Sequence, residues 1–202
     1  MVVDDFFRLN PITYIPNGVE EMGISVTIPM QILTYTDKQF ADWKEGRREN
    51  CPDCYCKGLP GTYGFGENMV GNYFESLGYK WIHHDFNVSG ANRLGKYPEA
   101  EYVLRKYLGE EKFEFCRTIC KNIKNIEEPD LLIYKPDYSE IRFAESKRAD
   151  TNDKLRESQI RCLALYSLIL GCKADVFEIV KEGKKHESKL TYWELQGGDI
   201  RE

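Results

Sequence analysis

The stretch that decides the fold is "PDLLIYKPDYSEIRFAESK", Pro129 to Lys147. Two strand-forming runs, "LLIY" and "IRFAESK", flank Pro136-Asp137, a pair whose fixed φ and local side-chain hydrogen bonding suit a turn. A turn centred between Asp137 and Tyr138 pairs residues whose numbers sum to 275, so Asp130 falls directly opposite Glu145. Opposed residues on antiparallel strands have Cβ atoms roughly 4.5–5.5 Å apart. Two carboxylates at that spacing repel unless a divalent cation bridges them, and Mg²⁺ is commonly held by one or two carboxylates with waters and phosphate oxygens.

Side chains alternate along a strand, so Glu145 and Lys147 share a face. Lys147 is thereby placed beside the candidate metal site, where it can contact a phosphate or orient an attacking water. Ser146 points the other way, and its backbone carbonyl is a further candidate ligand. Downstream, "LRESQIRCLALYSLILG" is apolar nearly all round and reads as a buried helix. "ADVFEIV" reads as a buried strand and "LTYWEL" as an edge strand.

Upstream, "GENMVGNYFESLGYKWIHHDF" reads as a helix followed by a strand. Met69, Val70, Tyr73, Phe74 and Leu77 form one helical face, with Gly78 as the stop. Glu67 lies at the edge of that stripe and can reach a half-buried site, whereas Glu75 lies opposite it, in water. Two more helices, over 98–108 and 110–123, form an insertion of about 96–125. Without the insertion, the order from Glu67 is helix, strand, strand, strand, helix, strand, which fits a three-layer mixed α/β sheet.

Nearer the amino terminus, "ISVTIPMQILTYT" is extended and broken at Pro29. "TDKQ" at Thr36–Gln39 has capping-box spacing, so a helix is expected from Asp37 to about Arg47. The expected organisation is a single domain over 1–202. Residues 1–65 form an amino-terminal extension carrying a cysteine cluster, 66–182 the core, and 183–202 a strand and tail.

At 202 residues, 42% hydrophobic and 30% charged, the composition is that of an ordinary globular domain. No run of about 18 apolar residues occurs, so neither a membrane span nor a membrane partner is expected. The start "MVVDDFFRLN" is acidic and does not read as a leader, which makes the cytoplasm the expected compartment. There the seven cysteines would be thiols or metal ligands. The net charge of −5 opposes non-specific polyanion binding, so a nucleic-acid partner requires a local basic groove.

The conjunction of Pro129-Asp130, the hairpin, Glu145-x-Lys147, "NDKL" (Asn152 to Leu155) and Gln159 opening an apolar helix resembles the PD-(D/E)XK nuclease superfamily. Over Pro129 to Val180 it is most similar to the virus-type replication-repair nuclease branch (VRR-NUC), and "GENMVGNYFESLGY" resembles the superfamily's first helix. The resemblance implies a restriction-endonuclease-like α/β fold and a metal-dependent nuclease acting on DNA, in repair, replication or recombination. It implies Mg²⁺ or Mn²⁺ held by Asp130, Glu145, the Ser146 carbonyl and Glu67. Lys147 would be catalytic, and Gln159 would support the site. Ser146 stands where the superfamily usually has an aliphatic residue. The insertion is longer than a minimal fold needs. Arg148, Lys154 and Arg156 are the candidate DNA-binding cations around the site.

"CPDCYC" places Cys51, Cys54 and Cys56 together, and Cys116 and Cys120 stand one helical turn apart. A zinc or iron–sulfur site is one reading, and free thiols in a tight loop the other. His83 and His84 face opposite ways on a strand, so a structural role is expected. The alternatives to a nuclease are a catalytically inactive nucleic-acid-binding module of the same fold, or a small α/β protein with exposed acids and no nucleic-acid role.

Overall fold

The computed structural model describes residues 24–83, 86, 88, 93–185 and 191–195. The start of the chain, the tail after 195 and His84 lie outside the described residues. The elements are β1 (Ile24–Ile28), β2 (Met30–Tyr35), α1 (Asp37–Lys44), α2 (Cys54–Gly58), α3 (Phe65–Ser76), β3 (Lys80–His83), α4 (Pro98–Leu108), α5 (Glu110–Asn122), β4 (Leu131–Tyr134), β5 (Ile141–Arg148), α6 (Glu157–Leu170), β6 (Lys173–Lys181) and β7 (Thr191–Leu195).

The main sheet has five strands in the order β2-β6-β5-β4-β3. β2, β6 and β5 run parallel, while β4 and β3 pair antiparallel. This is the mixed sheet flanked by helices expected of a restriction-endonuclease-like fold. The β4–β5 partners carry numbers that sum to 275, the expected register. The turn between them is shaped by Asp137, whose Oδ1 accepts from Ser139 N at 3.0 Å and Ser139 Oγ at 2.7 Å. Tyr138 takes the left-handed conformation that such a turn needs, at φ 60°.

Alternation along the strands builds two cores. Ala144, Leu131 and Ile133 face α3 and pack with Phe65, Val70, Phe74 and Trp43. Ile141, Phe143 and Leu132 face the opposite layer and pack with Leu163 and Tyr166 of α6, Leu104 of α4 and Phe113 of α5. α3 lies very close to β3. A methyl group added at Gly71 would stand 2.2 Å from Cε2 of Trp81.

Several expectations need adjusting. β2 comes from the stretch expected to be an extension, yet it pairs with β6 inside the main sheet. The expected carboxy-terminal edge strand, β7, pairs instead with β1 in a separate two-stranded ribbon. The capping box at Thr36 and Gln39 forms, but α1 stops at Lys44 because Gly46 takes φ 84°. Within the turn-rich cysteine stretch, Asp53 caps the short helix α2 by accepting from Cys56 N at 2.7 Å.

Candidate active site

The extended hairpin places Asp130, just before β4, beside Glu145 and Ser146 of β5. Asp130 N donates to Glu145 Oε2 at 3.3 Å, and Ser146 N donates to Asp130 Oδ2 at 2.9 Å. The Ser146 hydroxyl adds a second donor to the same oxygen at 3.3 Å. Ser146 therefore positions Asp130 with its side chain as well as its backbone. A small residue is required here because an added Cβ at Gly66 of α3 would lie 3.1 Å from Ser146 Oγ.

Lys147 lies on the same face as Glu145. Its Nζ stands 2.8 Å from Glu145 Oε1 and 3.0 Å from Asp153 Oδ2. Gln159, at the start of α6, donates from Nε2 to Glu145 Oε1 at 2.6 Å and accepts at Oε1 from Arg156 N at 3.1 Å. Glu145, Gln159 and Lys147 are all buried, at 0%, 2% and 7% exposure. A charged acid and base this deep persist only because each satisfies the other.

Glu67 enters from the first turn of α3, on the other side of the sheet, and its Oε1 lies 3.6 Å from His83 Nε2. Burial opposes charge on both groups, but each holds the other's charged form, so Glu67 falls below the usual carboxylate range and His83 rises. Burial, and then the nearby charge of Glu67, push Asp130 up to about 6. Burial and the charge of Asp130 push Glu145 well above its ordinary value, with Lys147 opposing the rise. Burial works against the Lys147 ammonium, but Glu145, Asp130 and Asp153 hold it above the ordinary lysine value.

The residues fit a hard divalent cation. Glu67, Asp130 and Glu145 are oxygen donors, and two of them are crowded until they resist ionisation, a conflict such an ion would relieve. Their oxygens are turned toward Ser146, Gln159, Lys147 and His83. Accordingly, among the described residues no group of three or more His, Cys, Asp or Glu side chains stands at ligating spacing. Small side-chain rotations separate this arrangement from one that would hold an ion.

The cysteines are not brought to one place. Cys51 and Cys56 are buried on the α3 side of the sheet, while Cys54 is exposed on α2. Cys116 and Cys120 are buried in the opposite core, because α5 packs on the far face. The five-cysteine zinc or iron–sulfur site is therefore not assembled. Cys51 and Cys56 are thiols that touch: the contact with Cys56 draws Cys51 down, and the same contact, with burial, raises Cys56.

The candidate DNA-binding cations divide. Arg148 points to the α3 side, forks onto Asp150 at 3.0 and 2.7 Å and stacks 4.7 Å over Phe40. It is a latch within the fold rather than a cation facing the site. Arg156 is exposed but pairs with Glu127 at 2.6 Å. Lys154 is exposed, with no ion pair among the described residues.

Two site residues had no role in the sequence reading. Asp153 clamps Lys147, and the "NDKL" motif that contains it was its signal. His83 buttresses Glu67. Its neighbour His84 drew the reading toward a shared role that strand alternation forbids, and Glu67 as a partner across elements has no local signature. Compared with known proteins, the chain matches no family model, and no characterised protein is significantly similar to it in sequence.

Proposed function

We propose that this chain is a metal-dependent deoxyribonuclease that hydrolyses phosphodiester bonds. The observation that carries the reading is the buried constellation at one sheet end, with Asp130 and Glu145 side by side, Lys147 2.8 Å from Glu145, and Glu67 near enough to raise Asp130. A purely structural ion network has no need of a third acid driving up the first.

Asp130, Glu145, Glu67 and the Ser146 carbonyl would hold Mg²⁺ or Mn²⁺. The ion would supply Lewis-acid activation of water and neutralise charge on the phosphate. Lys147 offers a positive charge at the point where a scissile phosphate would sit, and Asp153 and Glu145 fix its direction. Gln159 keeps Glu145 aimed. Ser146 and the Glu145 carboxylate hold Asp130 from two sides. Lys154 is the described cation best placed to meet the DNA backbone, and a role in repair, replication or recombination follows from the resemblance. A reducing cytoplasm agrees with seven unbridged cysteines. No helix is long and apolar enough to cross a membrane.

The test is cleavage of DNA with and without Mg²⁺ by the wild type, Glu145→Ala and Lys147→Ala. Each substitution is expected to lower the rate at least about 100-fold. Activity surviving both substitutions contradicts the reading. DNA binding by wild type without any cleavage favours the inactive binding module.

A further inference from the structure

Beside the candidate site, a groove of about 620 Å³ opens along the edge strand β3. It is lined by Pro52 to Tyr55 ahead of and within α2, by Lys80 to His83, by Lys96 to Ala100 at the start of α4, and by Tyr134. Its size is that of a ligand pocket for a nucleotide-scale group. We propose that this groove takes an unpaired nucleobase flanking the scissile phosphate, so that the substrate is DNA with a single-stranded segment at the cleavage point. The inference rests on the nuclease reading.

Continuity with the acids is the first argument. The Tyr55 ring stacks on His83 with centroids 5.4 Å apart and planes 23° from parallel. His83 is buried and its imidazole reaches Glu67 at 3.6 Å, while Tyr55 is 54% exposed. The stack thus begins at the acidic site and ends on an aromatic face open to the groove. A buried ring beneath Tyr55 fixes the platform's angle before anything binds, which lowers the ordering cost of stacking.

Charge is the second argument. Lys80 and Lys96 line the groove together with Asp53, Glu75 and Glu99. Asp53 is occupied, accepting from Cys56 N at 2.7 Å and from His83 N at 3.0 Å. The mixture disfavours a phosphate track and suits a flat neutral ligand carrying amino and carbonyl edges, which carboxylates and ammonium groups can meet. Tyr97 provides a second ring, with Lys96 Nζ 4.9 Å above it. A base within a duplex has both faces covered, so only an unpaired base can add to the Tyr55 stack.

The test measures binding by fluorescence anisotropy in the Lys147→Ala background with Mg²⁺, which removes cleavage from the readout. The probes are a labelled oligothymidylate of about ten nucleotides and a duplex of the same length. Tyr55→Ala is expected to weaken single-strand binding roughly 5- to 150-fold, the value of one stacked base, and duplex binding far less. Tyr55→Phe is expected to retain single-strand binding. No measurable oligothymidylate binding, or equal effects of Tyr55→Ala on both probes, overturns the proposal. If wild type cleaves DNA but single-strand binding ignores Tyr55, the groove assignment fails alone. If wild type never cleaves but binding depends on Tyr55, the nuclease reading fails and the groove stands.

Discussion

Lys147→Met isolates the electrostatic heart of the site. Methionine keeps most of the apolar stem but removes the ammonium from beside a fully buried Glu145. Glu145 would retain only Gln159 Nε2 and the Asp130 N–H as donors. Leaving a buried charge without its partner costs about 3–5 kcal/mol. Glu145 and Asp130 both have folded-state pKa values above their unfolded ones. Stability linked to such acids is fully present below the unfolded pKa and is lost as pH rises through the folded one. Removing Lys147 raises those folded values further, and the remaining neighbours, His83, Glu67 and Asp153, do not replace its charge. The deficit relative to wild type should therefore be widest near pH 8 and narrow at pH 5, where the acids take up protons. For a chain of this size, a deficit of 3–5 kcal/mol lowers the melting temperature by roughly 6–20 °C. Thermal unfolding in chelator at both pH values checks this. An equal loss at both, or none at pH 8, would refute the account of Glu145 as a buried acid held by Lys147.

Three further outcomes are expected. Mg²⁺ should raise the melting temperature more at pH 8 than at pH 5, because protons compete for Asp130, whose pKa is about 6; at 100 times its Kd the ion contributes about 2.7 kcal/mol, and a larger shift at pH 5 would count against the acids as its ligands. Gly71→Ala should cost about 1–3 kcal/mol or more by driving a methyl into Trp81, whereas Gly58→Ala, with nothing within 4 Å, should change stability little in urea unfolding. Ser146→Leu should lower stability by about 1–3 kcal/mol, through its contact with Gly66, and also lower any cleavage activity by displacing Asp130; a fully active, stable variant would show that Ser146 does not position that acid.

The hairpin was legible because a two-residue period and a Pro-Asp turn leave little freedom of register. Asp130 meets Glu145 and Ser146 for that reason. Glu67 was separable from Glu75 by helical period alone, and Glu75 is indeed exposed while Glu67 is partly buried. What escaped the sequence depends on which face of the sheet an element covers. Nothing in "CPDCYC" or around Cys116 says that α2 and α5 pack on opposite faces, so five cysteines looked like one set. Arg148 follows Lys147, but strand alternation sends it to the other core, where Phe40 and Asp150 capture it. β2 looked detached because a parallel pairing to a strand about 140 residues later leaves no local trace.

The most direct test of the central claim is the anomalous scattering of Mn²⁺ soaked into crystals of the protein. The account predicts a peak bonded to carboxylate oxygens of both Asp130 and Glu145, within reach of Lys147. A manganese ion bound elsewhere, with Asp130 and Glu145 still turned onto Ser146 and Gln159, would contradict it.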